Sequence, residues 1–169
     1  RVYDASRPDY PADAVAWLTD GTEGLVVDLG AGTGKLTRAL VDLGREVVAV
    51  DPSPQMLEVL GERVPEAEAR LGSGESLPLP DAGAGLVVAA QAWHWVDPAV
   101  AVPEVARVLR PGGRLGLVWN YRDESVEWVR ELGELMGSGE AVFGDDEDPV
   151  VGPPFGALER FDVRWVQAL

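Results

Sequence analysis

The sequence has no cysteine, a single histidine, and only 14 Lys plus Arg against 29 Asp plus Glu in 169 residues. Without cysteine, disulfides and thiolate metal sites are excluded, and a single histidine disfavours a zinc site, so no metal is expected. A net charge of −15 repels a phosphate backbone over most of the surface, which argues against nucleic acid as a partner. No apolar run approaches the ~20 residues of a membrane-spanning helix, so no membrane is expected either.

What the sequence does have is an ordinary globular composition, with 46% apolar and 25% charged residues. The length suits one domain, since domains most often have ~100–150 residues, and we expect residues 1–169 to form a single one. The lack of cysteine fits a reducing compartment, and the chain does not open with a charged segment that leads into an apolar core. We therefore expect a cytoplasmic protein.

Short runs rich in Val and Leu alternate with helical stretches along the chain. The runs are nearly continuous in apolar residues, as strands buried on both faces of a parallel sheet are. They cover residues 25–29, 47–50, 86–90 and 115–119, with weaker candidates at 66–71 and 161–169. Strands that alternate with helices predict an α/β fold with a doubly wound, mostly parallel sheet.

Capping signals mark the predicted helices between these strands. Ser53 and Asp97 are each followed by proline, which is typical of an N-cap with proline at the first helical position. The second of these helices is predicted to continue to Leu109, before Pro111 stops it. The remaining helix signals are a cap at Asp123, a helix end at Gly44 and a short first helix over residues 11–18.

One segment, residues 137–157, is rich in Gly, Pro and acid and is predicted to be a surface loop. Its four consecutive acids at 145–148 have two interpretations, a metal site or a solvated acidic loop. The solvated loop is favoured, because runs of like charge are usually exposed to water.

The most informative stretch is a predicted strand that enters a helix through Gly30, Gly32 and Gly34. Glycines here permit a tight turn, and they let a ligand approach bare main chain at the positive end of a helix dipole. The alternative is a glycine-rich turn without a ligand, which the entropy cost of three glycines disfavours.

The spacing of the loop and two nearby acids restrict the ligand. A dinucleotide fingerprint would have its third glycine in place of Lys35, and a phosphate-binding P-loop would have Ser or Thr in place of Leu36. Asp28 precedes the loop, and its negative charge disfavours a pyrophosphate and favours a ligand with positive charge. A nicotinamide-dependent oxidoreductase, whose cofactor contains a pyrophosphate, is therefore the weaker alternative. Asp51 ends the second predicted strand and can accept hydrogen bonds from both hydroxyls of a ribose. The alternative for Asp51 is a cap of the next helix, a role that Ser53 already fills.

Six motifs occur in a fixed order: YDASRPDYP, DLGAGTG, AVDPSPQML, ESLPLPD, AQAWHWVD and VLRPGGRL. In this combination the chain resembles class I S-adenosylmethionine-dependent methyltransferases, of the small-molecule group described as type 11 or type 25 methyltransferase domains. The resemblance covers most of the chain. It implies a Rossmann-like fold, S-adenosylmethionine as cofactor, S-adenosylhomocysteine as product and a small organic molecule as methyl acceptor.

The resemblance also implies which residues hold the cofactor. The glycine loop would hold its methionine end, the acid after the second strand its ribose, and a turn after the third strand its adenine. Ser and Gly in that turn depart from the Asp-Ala or Thr-Ala usual in the family, and a neutral hydroxyl is a weaker partner for adenine than a carboxylate. The implied positions are Asp28, Gly30, Ala31 and Gly32; Asp51 and Pro52; Met56, Ser73, Gly74 and Glu75; Gln91; and Arg7 near the carboxylate of the cofactor.

The catalytic candidates are fewer, because methyl transfer from a sulfonium needs alignment, and a general base only for acceptors that are protonated at neutral pH. His94 is either that base or a packing residue between two tryptophans. Trp93 and Trp95 either wall an acceptor pocket or pack in the core. By resemblance, Tyr3, Arg7 and Tyr10 of the YDASRPDYP segment belong to a lid over the cofactor, with Tyr3 near the methyl group, so residues 1–20 comprise a lid and a helix. The alternative is a surface arm. A fold that binds the cofactor without transferring methyl is the other function left open.

The end of the sequence departs from the family pattern. The family's sheet normally ends with one more strand, antiparallel beside the sixth, and nothing after Phe161 can supply it. Natural proteins usually cover an unpaired sheet edge, so we expect the 169 residues to be a fragment of a longer gene product, with an incomplete acceptor side. The acceptor, its reacting atom and the oligomeric state stay open.

Overall fold

A computed structural model describes residues 9–120, 123–135, 151–156 and 159 of the chain. The strands are β1 (Val26–Leu29), β2 (Val47–Asp51), β3 (Glu68–Leu71), β4 (Ala84–Ala90) and β5 (Leu109–Val118). The helices are α1 (Ala12–Thr19), α2 (Lys35–Asp42), α3 (Pro54–Arg63), α4 (Pro98–Val108) and α5 (Glu127–Leu135), and a 3₁₀ turn covers Trp93–Trp95.

The five strands form one parallel sheet in the order β3-β2-β1-β4-β5. The chain runs outward from β1 to β3 and then returns to place β4 on the other side of β1. This arrangement confirms the predicted doubly wound α/β sheet. It also creates a crevice beyond the carboxyl ends of β1 and β4, which is where open parallel sheets bind their ligands.

Alternate residues of the central strands enter two separate apolar cores, because successive side chains of a strand point to opposite faces. One core packs the sheet against α4, and the other packs it against α1 and α2. The first contains Val27, Leu29, Val48, Val50, Val87 and Ala89 of the sheet; the second contains Val26, Val47, Leu86 and Val88. The strands β1 and β2 are buried along their whole length, as their continuous apolar runs predict, whereas the edge strand β3 is mostly exposed.

The predicted caps of α3 and α4 are confirmed. The Ser53 hydroxyl accepts a hydrogen bond from the Met56 N–H at 3.4 Å, and the Asp97 carboxylate accepts one from the Ala99 N–H at 2.9 Å. Both helices have proline in the first turn, where the missing N–H costs nothing. Gly44 follows the C-cap of α2 with a φ of +76°, as expected of a helix end.

Two predicted boundaries are wrong. The helix α4 ends at Val108 rather than Leu109, because Leu109 is extended, with φ −71° and ψ 134°, and pairs with Ala84 as the first residue of β5. Asp123 does not cap α5 directly: its carboxylate accepts from the Ser125 N–H in a turn that precedes the helix. In both cases the local pattern marked the right element and the wrong terminal residue.

Several predictions lie outside the described residues. These are the strand at 161–169, the acids at 145–148, most of the loop at 137–157, and the first eight residues of the N-terminal lid, with Tyr3 and Arg7. Within the part of the chain that the structure describes, no helix combines the length and the apolar character that a membrane span requires.

Candidate functional site

The glycine loop leaves β1 and enters α2 at the carboxyl edge of the sheet. Gly30, Gly32 and Gly34 have φ values of +70°, +54° and +86°, a region that side chains rarely adopt. The N–H groups of Gly30 and Ala31 both donate to the Val50 carbonyl, at 2.8 and 3.1 Å. The loop is therefore bonded to the end of β2 as well as continuous with β1.

The three glycines differ in what surrounds them. A Cβ on Gly30 would lie 2.4 Å from the Cβ of Ala92, and one on Gly34 would lie 2.9 Å from Cγ of Leu60. Among the residues that the structure describes, none would lie within 4 Å of a Cβ on Gly32. Gly30 and Gly34 are thus required by packing, whereas the space over Gly32 is open and can receive a ligand.

Asp51 faces this loop from the end of β2. One carboxylate oxygen accepts from the Gly32 N–H at 2.9 Å, and the other accepts from the Ser53 N–H at 2.8 Å. The residue is 7% exposed. A carboxylate has about four lone-pair sites, so Asp51 keeps acceptor capacity for two hydroxyls of a ligand beside Gly32.

Asp28 is also close to the loop, but its carboxyl group is 1% exposed and hydrogen-bonded within the protein. The Thr37 hydroxyl donates to it at 2.6 Å, and the Thr37 backbone N–H donates to the same group. Burial raises the pKa of Asp28 from 3.8 to about 6, the Thr37 bonds oppose the rise, and the charge of Asp51 adds to it. Sequence reasoning missed Thr37; a polar residue in the first turn of an amphipathic helix, next to the apolar Leu36, was the available signal.

The predicted adenine turn is a tight loop attached to α4. Ser73 and Ser76 exchange backbone hydrogen bonds of 3.2 and 3.1 Å around Gly74 and Glu75. The Glu75 carboxylate accepts from the Asp97 N–H at 2.8 Å, and this bond, together with a lesser one from the Ser73 side chain, lowers the pKa of Glu75. The turn is therefore tied to the residue that caps α4.

Gly74 itself is enclosed by protein. A Cβ on Gly74 would lie 2.6 Å from Cγ1 of Val96 and 3.5 Å from the Cβ of Ala101. The missing side chain is thus explained by close packing against the segment before α4. Of the other predicted contacts, Met56 is half-buried in the first turn of α3, and Pro52 is exposed beside Asp51.

Arg107 on α4 holds the residues that follow the Ser73–Ser76 turn. Its guanidinium donates to the carbonyls of Leu77 and Leu79, at 3.2 and 3.0 Å, and to the carboxylate of Asp81 at 2.7 Å. Glu104 accepts two further bonds from Arg107 and one from the Leu77 N–H. This network was not predicted, because Leu77, Leu79 and Asp81 lie 26 to 30 residues from Arg107.

The segment after β4 bends sharply at Gln91. Its φ of +54° is unusual for a residue with a side chain and indicates local strain. Its N–H donates to the Val118 carbonyl at 2.8 Å, and its side chain donates to the Asn120 carbonyl at 3.4 Å. The bend places Ala92 against Gly30 and so brings this segment to the glycine loop.

The two tryptophans beyond this bend have different environments. Trp93 is 2% exposed and belongs to the core, whereas Trp95 is 81% exposed. The His94 ring lies between them in sequence and contacts the Trp95 ring, with centroids 4.9 Å apart and planes tilted by 46°. Trp93 therefore packs in the core, while Trp95 leaves an aromatic face uncovered near the carboxyl edge of the sheet.

A cavity of about 350 Å³ lies on the α2 side of the glycine loop. Its lining includes Tyr10 from the predicted lid, Thr33 and Gly34 from the loop, and Lys35, whose Nζ pairs with Asp9 at 3.0 Å. Among the described residues, no group of three or more acidic or histidine side chains is placed to hold a metal ion.

An open parallel sheet, with a glycine loop at its reversal point and a carboxylate at the end of the neighbouring strand, defines an α/β domain of the type that binds a nucleoside cofactor. The family model described as "methyltransferase domain" matches residues 27–117. The chain belongs to this methyltransferase family.

The relatives agree with the family assignment. The chain is 54% identical over 173 residues to an uncharacterised methyltransferase of Mycobacterium tuberculosis, which covers 99% of this chain and 68% of the relative. Among solved structures, the YcgJ protein of Bacillus subtilis is 33% identical with a TM-score of 0.58, over 72% of this chain and 56% of that one. An S-adenosylmethionine-dependent methyltransferase of Thermotoga maritima is 29% identical with a TM-score of 0.55, over 75% of this chain and 57% of that one. The chain thus spans between about half and two thirds of these proteins.

Proposed function

We propose that this chain binds S-adenosylmethionine at the carboxyl edge of its sheet and transfers the methyl group to a small organic acceptor. The observation that carries the proposal is the pairing of an open Gly32 with the Asp51 carboxylate, 2.9 Å from the Gly32 N–H. A nucleoside placed there has room beside bare main chain and a charged acceptor for its ribose hydroxyls.

The residues present fit each part of this cofactor. Asp51 would hold the ribose, with Pro52 beside it, and the segment Gly30–Ala31–Gly32 would hold the methionine end. The adenine would lie between Met56 and the Ser73–Glu75 turn. Asp28 would contribute negative charge behind the loop, which suits a sulfonium. Gln91 would bound the site just after β4, and Arg7 and Tyr3 would close it from the lid predicted over residues 3–11.

The cofactor supplies an activated methyl group, so the protein mainly has to align the acceptor with it. Orientation of this kind is worth up to ~7–11 kcal/mol in model reactions. The exposed ring of Trp95 can carry an apolar acceptor, and His94 beside it can remove a proton when the acceptor requires it. We expect the reaction to take place in the cytoplasm.

Binding is tested by calorimetry on the product of the complete gene, with S-adenosylmethionine, S-adenosylhomocysteine and NAD as ligands. We expect both sulfur ligands to bind and NAD to bind far more weakly. The opposite order would overturn the proposal. Asp20→Asn, an exposed acid away from the carboxyl edge, serves as the charge-matched control for changes at the acids of the site.

Transfer is tested separately, with methyl-labelled S-adenosylmethionine and a whole-cell extract that is divided after the reaction into small molecules, protein and nucleic acid. Label in the small-molecule fraction, dependent on the protein, supports the enzyme. Binding without any transfer by the full-length product would favour the alternative, a methyltransferase-like domain that binds the cofactor only. Label in protein or nucleic acid instead would overturn the assignment of a small acceptor.

A further inference from the structure

The hydrogen bond between Asp28 and Thr37 spans the glycine loop. Asp28 lies on β1 ahead of Gly30, Thr37 lies in the first turn of α2 beyond Gly34, and the two side-chain oxygens are 2.6 Å apart. Both residues are buried. The bond therefore links β1, which leads into the loop, to α2, which follows it.

Packing alone does not explain a threonine at this position. Valine has nearly the same shape and would bury no hydroxyl, and a buried hydroxyl is costly unless it is hydrogen-bonded. Thr37 instead supplies two donors to one buried carboxylate, its hydroxyl and its backbone N–H. Hydrogen bonds to a charged group are roughly twice as strong as neutral ones.

We propose that Thr37 is a positioning residue for the cofactor: by holding the Asp28 carboxylate it keeps the glycine loop in the shape that leaves the space over Gly32 open. The loop contains three glycines in left-handed conformation and would otherwise sample many shapes. A loop that is already ordered loses less entropy when the ligand binds. This inference rests on the proposed function, in which the loop holds the cofactor.

The bond is expected to respond to pH. On α2 the neighbour of Asp28 is Thr37, on β2 Asp51 adds negative charge, and the residues paired with Asp28 in the sheet are Ala49 and Val88. Because a neutral carboxyl is a weaker acceptor, the bond weakens as pH falls through the Asp28 pKa of about 6. Removal of the Thr37 hydroxyl takes away an interaction that favours the charged form, so the pKa of Asp28 rises further. The remaining bond from the Thr37 backbone N–H then weakens at a higher pH than in the wild type.

The experiment is calorimetry with S-adenosylhomocysteine between about pH 5 and 8, on wild type, Thr37→Val, Thr37→Ser and Asp28→Asn. We expect wild-type affinity to fall in a step near the Asp28 pKa. Thr37→Val should bind about tenfold more weakly at neutral pH, with its step at higher pH. Thr37→Ser, which keeps the hydroxyl, should restore both properties, and Asp28→Asn should show no step.

Thr19→Val is the matched control, since Thr19 is a buried threonine of α1 whose hydroxyl donates to the Val15 carbonyl within its own helix. It should keep the wild-type affinity and pH profile. If Thr37→Val has unchanged affinity and an unchanged step, the inference about Thr37 is wrong and the proposed function still stands. If the wild type binds neither sulfur ligand, both the proposed function and the inference are wrong. If Thr37→Val does not fold, Asp28→Asn decides: a step that persists in that variant overturns the inference.

Discussion

Replacement of Asp28 by asparagine should stabilise the protein at neutral pH. The pKa of Asp28 is about 6 in the folded state against 3.8 ordinarily, so the folded state retains a proton that the unfolded chain releases between these values. Wild-type stability therefore falls as pH rises from about 4 to about 6, and the total loss is about 3 kcal/mol at 1.36 kcal/mol per pKa unit. Asparagine carries no charge and avoids this loss. It offers one acceptor oxygen fewer to Thr37, which costs about 1 kcal/mol, so the net gain is about 2 kcal/mol.

The assay is urea unfolding of wild type and Asp28→Asn at a series of pH values. The stability difference should be absent or slightly reversed below about pH 4 and should reach about 2 kcal/mol above pH 6. Asp20→Asn makes the same change in net charge at an exposed position and should show no such dependence. Equal stability of wild type and Asp28→Asn at neutral pH would refute the reasoning, because it would mean that the buried carboxyl carries no cost.

The remaining predictions separate structural from functional residues. Gly32→Ala should lose about 1 kcal/mol of stability, because its backbone is left-handed, and should bind S-adenosylhomocysteine at least tenfold more weakly. Gly30→Ala should lose a further ~1–3 kcal/mol of stability, because its Cβ clashes with Ala92. Urea unfolding measures the stabilities and calorimetry the affinities, and an unaltered affinity of Gly32→Ala would show that the space over Gly32 does not receive the ligand. Trp93→Ala should cost ~3–5 kcal/mol of unfolding free energy and Trp95→Ala ~0.5 kcal/mol or less, and similar values for the two would show that Trp95 is not exposed. Asp51→Ala should weaken cofactor binding by ~2 kcal/mol; a folded variant with unchanged calorimetric affinity would remove Asp51 from the site.

The fold could be predicted because its signals are local. The continuous apolar runs of β1 and β2 require burial on both faces, and Ser53 and Asp97 bond to N–H groups only two or three residues away. The end of α4 could not be predicted in the same way. The helical period continues through Leu109, but pairing of that residue with Ala84 in the sheet, 25 residues away, overrides it.

Those parts of the site that have local sequence signals were also predicted. The glycine spacing and the acid at the end of β2 are visible in sequence, and they mark the loop and Asp51. The partners that hold these residues are distant in sequence or ambiguous in type. Glu75 bonds to a backbone N–H 22 residues away. The position of Thr37 in the first turn of an amphipathic helix is visible in sequence, but the partner of its hydroxyl is not.

The contact of Gly74 with Val96 has a consequence for how acceptor preference can evolve. The turn proposed for adenine packs against Val96, which directly follows Trp95 in the chain. A larger residue at position 96 would therefore displace this turn and disturb the proposed adenine site. Trp95 is under no such constraint, because 81% of its surface is exposed. Lineages that acquire new acceptors should therefore vary at position 95, while positions 74 and 96 change only together, with any gain in volume at one matched by a loss at the other.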